Sequence, residues 1–239
     1  MRMVISQPMF FPWVGLLDQV RLADIFVRYD DVQMPRGRSF ISRVQVKTAG
    51  GIRWLSAPVD RKNSGSNINE TRLLEDGKWR RKHLTTLRHV FAGAPHLEDA
   101  MKLARDIYGR EENNLARFNE VAVERMAAFF GISAEFRRSS DLGIGGRSTR
   151  RLIDICKYFG ASEYITGHGA RNYLDHEAFE REGIKVSYMR YDYDPWPQLH
   201  GPFTPYVTAL DLVANCGKEG VRYIKSGTVD WKEFLHGSR

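Results

Sequence analysis

A strand–helix–strand unit at the start of the chain limits its fold more than any other feature. "MVIS" (3–6) has the pattern of a short buried strand. "PWVGLLDQVRLA" (12–23) reads as a helix, with Pro12 at a first-turn position and Leu16, Leu17, Val20 and Leu22 along one apolar face. "DIFVRYDDV" (24–32) is β-branched and aromatic and ends on Asp30 and Asp31, as a second strand would. Two strands joined by a helix at this spacing form a parallel pair with a right-handed crossover. The expected class is therefore α/β, with a parallel Rossmann-like sheet whose ligands sit beyond the C-terminal ends of its strands.

The rest of the chain fits that frame. "SFISRVQVKTAGGIRWLSAPVD" (39–60) alternates about a Gly-Gly turn and predicts a β-hairpin. "RKNSGSNINE" is a polar loop. Three amphipathic helices follow, in "GKWRRKHLTTLRHVFAGAP", "HLEDAMKLARDIYG" and "NLARFNEVAVERMAAFFG", the last stopped by Gly131 at a C′ position. Strand and helix then alternate again: "SAEFRRSSDL", "TRRLIDICKYFG", "SEYITG", "HEAFEREG" and "IKVSYMRYDY". A proline-rich aromatic loop leads to an apolar helix near residue 210. The expectation is one domain over 1–239, with a helical insertion or cap at about 70–131 packed beside the sheet.

Of the 239 residues, 42% are hydrophobic and 27% charged, the balance of a packed globular chain. No apolar run reaches membrane-spanning length. "MRMVISQP" lacks the form of a signal peptide. Cys156 and Cys216 form no metal or redox spacing, and a reduced, cytoplasmic protein is expected. The net charge of +7 favours phosphate-bearing partners without choosing among them: a small molecule such as a nucleotide-sugar or coenzyme, tRNA, or an anionic membrane surface. There is no HExxH and no Cys/His cluster for a catalytic zinc, and no GxSxG elbow for a serine hydrolase.

Four segments fall at the C-terminal ends of expected strands: "QPMFFPWVG", "YDDVQMPRGRSF", "SSDLGIGGRSTR" and "TGHGARNYLD". They supply Asp30, Asp31 and His168 as candidate catalytic residues. Gln7, Trp13, Gln33, Arg38, Ser39, Ser140, Thr149, Arg150 and Arg171 are candidate substrate or phosphate contacts. "GIGGRSTRR" joins glycines, hydroxyls and arginines ahead of a helix N-terminus, as phosphate loops do, without a Walker lysine or a dinucleotide fingerprint. Each has a plainer role as well: Asp30 and Asp31 as turn caps, His168 as a solvated loop histidine, Phe10, Phe11 and Trp13 as core aromatics. Trp13 is also suited to stacking on a base or sugar ring.

"QPMFFPWVG", "ADIFVRYDDVQ", "RVQVKTAGGIRWLSAPV", "HVFAGAPHL", "SSDL", "TRRLIDICKYFGASEYITGHGARNYLD" and "FEREGIKVSY", in this order along nearly the whole chain, resemble the WbqC-like family of bacterial proteins. The resemblance implies a place in O-antigen or other surface-polysaccharide biosynthesis, with glycine or aminoacyl transfer onto a sugar. The opening segment is also similar in layout to the nucleotidylyltransferase and pantothenate synthetase superfamily, in which an HxGH segment starts the first helix and binds nucleotide phosphates. With Gly15 in the place of the motif glycine, Trp13 and Leu16 stand where the histidines would be. Two functions follow as expectations. One is a transferase joining glycine or another acyl group to an amino-sugar, drawing on a nucleotide or an activated aminoacyl donor. The other is a nucleotide or nucleotide-sugar binding protein without HxGH chemistry.

Overall fold

The computed structural model describes residues 1–35, 39–60, 66–74 and 78–237. The chain opens with strand β1 (Arg2–Ser6), helix α1 (Val14–Leu22) and strand β2 (Ile25–Arg28), the expected βαβ unit. Helix α1 starts two residues later than the sequence suggests. Trp13 is its N-cap, in extended conformation, and bridges to Thr208, while the Pro12 carbonyl accepts from Ala209 N–H at 2.8 Å. A tertiary pairing thus keeps Pro12 outside the helix.

Strands β3 (Arg43–Thr48) and β4 (Gly51–Ser56) form an antiparallel hairpin that, among the described residues, pairs with no other strand. Gly51 at φ +96° makes its turn, a conformation that L side chains avoid. Helices α2 (Trp79–Val90), α3 (Leu97–Tyr108) and α4 (Leu115–Phe129) follow, then strand β5 (Glu135–Arg138), helix α5 (Ser148–Phe159), strand β6 (Glu163–Thr166), helix α6 (His176–Arg181) and strand β7 (Lys185–Met189). Helix α7 (Leu210–Cys216), strand β8 (Thr228–Asp230) and helix α8 (Trp231–His236) complete the described chain. Neither β8 nor α8 is apparent from sequence: β8 is a three-residue edge strand and α8 has no fully buried residue.

The central sheet has the order β5-β2-β1-β6-β7-β8, with β8 alone antiparallel. Numbered along the chain, its parallel strands run 3-2-1-4-5, the Rossmann-like arrangement. Strand order reverses between β1 and β6, which opens a crevice at the C-terminal edge. Side chains alternate across the sheet. Val4, Phe26, Ile165 and Met189 join the larger core with α1, α2, α3, α4 and α7. Met3, Ile5, Ile25, Val27, Tyr164 and Val186 face α5 and α6 in the smaller one. Among the described residues no helix is long and apolar enough to cross a membrane.

Candidate functional site

The turn after β1 is mainly a packing element. Phe10 and Phe11 are fully buried and meet Phe118, Tyr108 and Trp79 with ring centroids 4.6–6.4 Å apart. Phe10 N–H donates to the Phe40 carbonyl at 2.9 Å. Asn119 on α4 donates to the carbonyls of Pro8 and Ile41 at 3.0 and 2.8 Å, tying the turn to the hairpin's approach. Trp13 packs on Tyr191 and Tyr206, at 4.9 and 5.7 Å between centroids. Gln7, just past β1, is half-buried.

Strand β2 stops at Arg28, so Asp30 and Asp31 stand just beyond it and not within a strand reaching Val32 as the sequence suggests, and their surroundings separate them. Asp30 is buried, and its carboxylate accepts from Ser140 N–H at 3.1 Å and from the Ser140 hydroxyl at 2.8 Å. The Ser139 hydroxyl lies 3.2 Å from Asp30 Oδ1 and 2.5 Å from Asp31 Oδ1. The other Asp31 oxygen accepts from Arg151 Nη2 at 2.5 Å. Arg151 is held independently as well: its Nε donates to the Ile144 carbonyl at 2.9 Å, and its guanidinium lies 5.0 Å from the Tyr29 ring centroid. Burial raises the Tyr29 phenol above its ordinary pKa, against the opposing charge of Arg151.

A cavity of about 400 Å³ opens beside this pair. Tyr29, Asp31 and Gln33 line it from the β2 side, Arg147, Ser148 and Arg151 from the start of α5, and Tyr173 from the segment after β6. Asn67 completes the lining, so four chain segments meet at the C-terminal edge of the sheet, where an α/β fold receives ligands. Ser148 opens α5 at φ +54°, a left-handed conformation unusual for a serine. Arg147 is exposed and has no ion pair among the described residues. The cavity therefore joins one free cation, one compensated guanidinium and the partial positive charge of a helix N-terminus, an arrangement suited to an anion. Its two tyrosines are suited to a ring.

Of the other candidate residues that the structure describes, Gln33 alone lines this cavity. Gln33 bridges to Asn67. The Ser39 hydroxyl accepts from Ile41 N–H at 3.1 Å within a local turn. Thr149 is buried, and its hydroxyl accepts from Asp175 N–H at 2.9 Å, joining the start of α5 to the N-cap of α6. Arg150 is two-thirds exposed and pairs with Asp154 and Glu182 outside the cavity lining. His168 Nε2 lies 2.6 Å from the Met189 carbonyl, and its ring packs on Tyr191 and Phe234. A carbonyl only accepts, so Nε2 carries the hydrogen and the neutral ring keeps its lone pair on Nδ1. Arg171 is exposed, and Arg38 lies outside the described residues. Gln7, Trp13 and His168 do not line the cavity.

Sequence reasoning missed Tyr29, Arg147, Ser148, Arg151 and Tyr173. The clue to the first of the arginines was "GGRSTRR" itself, and only helix orientation separates Arg150 from Arg151. A buried ionic cluster on the opposite face was also missed. Arg138 grips Glu120 with two nitrogens at 2.7–3.0 Å, and Arg28 pairs with Glu120 and Glu124. Burial raises the Glu120 carboxyl to about 7, against the charges of Arg28 and Arg117. Among the described residues no group of three His, Cys, Asp or Glu side chains is placed to hold a metal.

Comparison with known proteins bears on the family of the chain. The sequence profile of the WbqC-like protein family matches residues 7–223. An uncharacterized protein of Mycobacterium tuberculosis, Rv1507c, is 32% identical over 227 residues, an alignment spanning 94% of this chain and 97% of the relative. No solved structure matches.

Proposed function

The chain belongs to the WbqC-like protein family, and from that premise we propose a transferase of surface-polysaccharide or related sugar-conjugate biosynthesis. It joins glycine or another aminoacyl or acyl group to an amino-sugar carried on a phosphate or nucleotide. The observation that carries this reading is the cavity between β2 and the start of α5, with Arg147 and Arg151 on one side, Asp31 on the other and Tyr29 and Tyr173 as ring-bearing walls. The arginines suit the phosphate, the tyrosines the sugar or base, and the Asp31 carboxylate the amine. In the transfer, the amine nitrogen attacks the activated acyl carbon, a C–N bond forms and the bond to the donor's leaving group breaks. Asp31 takes the proton that the nitrogen sheds.

Mass-spectrometric assay with nucleotide-linked amino-sugars and activated glycine donors tests the reading. Asp31→Asn is expected to lower turnover by about a hundredfold or more while the circular dichroism spectrum is retained. Unchanged turnover removes Asp31 from the chemistry.

A second reading, binding without turnover, draws on two observations. Both Asp31 oxygens already have partners, and Trp13 and Leu16 stand where the nucleotidylyltransferase-like superfamily carries histidines. Under it, a nucleotide-sugar raises the melting temperature with ligand concentration, and no donor yields product.

A further inference from the structure

We infer that Asp31 occupies Arg151 as an internal substitute for a ligand's phosphoryl group, and that a diphosphate ester takes its place and releases the Asp31 carboxylate into the cavity. This rests on the reading of the cavity as a phosphate seat and adds what the ligand must carry and how its arrival changes the site.

The first observation is that Arg151 is positioned without Asp31. Its side chain is 7% exposed, its Nε is bonded to the Ile144 carbonyl, and its guanidinium lies over Tyr29. A guanidinium so held is an oriented donor whichever anion faces it. The second is that Asp31 meets it from the cavity wall, with 22% of its side chain exposed, and through one oxygen only. A carboxylate and a phosphoryl oxygen offer a guanidinium the same acceptor chemistry. The third is that Asp31 has somewhere to go. Its other oxygen is bonded to the Ser139 hydroxyl at 2.5 Å, so leaving Arg151 does not strand the carboxylate. The fourth is Arg147, an exposed cation with no ion pair among the described residues, on the rim of the same cavity. It is the first contact for an incoming anion, and Arg151 the second.

Two consequences follow. A ligand with a single weak charge engages Arg147 and leaves the Asp31–Arg151 pair closed. A diphosphate reaches both arginines, and the carboxylate it displaces is then free to meet an amine on the same ligand. The carboxylate would thus become available only with the charged substrate in place.

Calorimetric titration with inorganic pyrophosphate tests the exchange on the full chain, apart from any acyl transfer. Asp31→Asn, which keeps the shape and removes the competing charge, is expected to bind pyrophosphate about tenfold tighter or more than the wild type. Arg151→Gln in the Asp31→Asn background is expected to cancel that gain. Equal or weaker binding by Asp31→Asn overturns the inference, as does a gain that survives loss of Arg151. If neither the wild type nor Asp31→Asn binds pyrophosphate, the inference falls together with the phosphate seat. A crystal of the wild type soaked in pyrophosphate gives a check that needs no variant. A phosphoryl oxygen on Arg151 Nη2 with Asp31 turned away is expected, and Asp31 still on Arg151 beside bound anion is the contrary result. Failure of the transferase reading has a different signature: absent product in the mass assay with the pyrophosphate results intact.

Discussion

The Trp13 indole lies across Gly15 so closely that a Cβ on Gly15 would stand 2.3 Å from its Cη2 and Cζ2 atoms. The ring covers the first turn of α1 and is backed by Tyr191, Tyr193 and Tyr206. Gly15→Ala must push the indole out of that stack. Alanine favours a helix, but the displaced packing is the larger effect. A net loss of about 1–3 kcal/mol is expected in urea unfolding, with a change in tryptophan emission in the folded protein.

Phe10 is expected to behave as a core residue. It is fully buried among Phe11, Trp79, His83 and Phe118. Phe10→Ala should cost about 3–5 kcal/mol by the lost transfer energy and the cavity left behind. Denaturant titration measures it.

Asp18 carries a pH dependence of defined sign. It is fully buried beside Arg21 and Tyr193, and burial pushes its carboxyl up to about 6 despite the opposing hydrogen bond and charge of Arg21. The folded chain therefore holds this proton more tightly than the unfolded one, and the stability tied to Asp18 falls as pH rises from about 4 to about 6. Glu120 acts in the same direction towards about 7. His83, whose imidazole burial lowers to about 4, acts in the opposite one: its share is lost on acidification below the ordinary histidine range. Comparison with Asp18→Asn isolates the first contribution. The stability difference should move in the variant's favour by on the order of 3 kcal/mol between pH 4 and pH 7. Parallel urea titrations at several pH values check the slope.

Arg150 and Arg151 should separate cleanly. Arg151→Gln removes a charged donor from Asp31 and from the Ile144 carbonyl and is expected to cost about 1–3 kcal/mol. Arg150→Gln loses only exposed pairs with Asp154 and Glu182 and should stay within about 0.5 kcal/mol of the wild type. Equal effects would contradict the side-chain placement.

Much of the architecture is written locally. The first two strands, the helix between them, the Gly-Gly hairpin turn and the helix ending at Gly160, which sits at φ +70°, follow from periodicity and from backbone conformations that only certain residues accept, although the strand pattern read over 24–32 is realised only over Ile25–Arg28. The strand-end position of Asp30 and Asp31 follows in the same way. The partners of those aspartates do not. Asp31 meets Arg151 across 120 residues of chain, a meeting that depends on strand order and on the crossover through α5. Adjacent arginines on that helix differ by about 100° of rotation, so tertiary packing alone decides which one faces the cavity. Strand β8 and the start of α1 are settled likewise, by a neighbouring strand and by the bridge from Trp13 to Thr208. Local preferences specify the elements because they act between residues close in the chain. The site forms where distant elements converge, and no local preference encodes that distance.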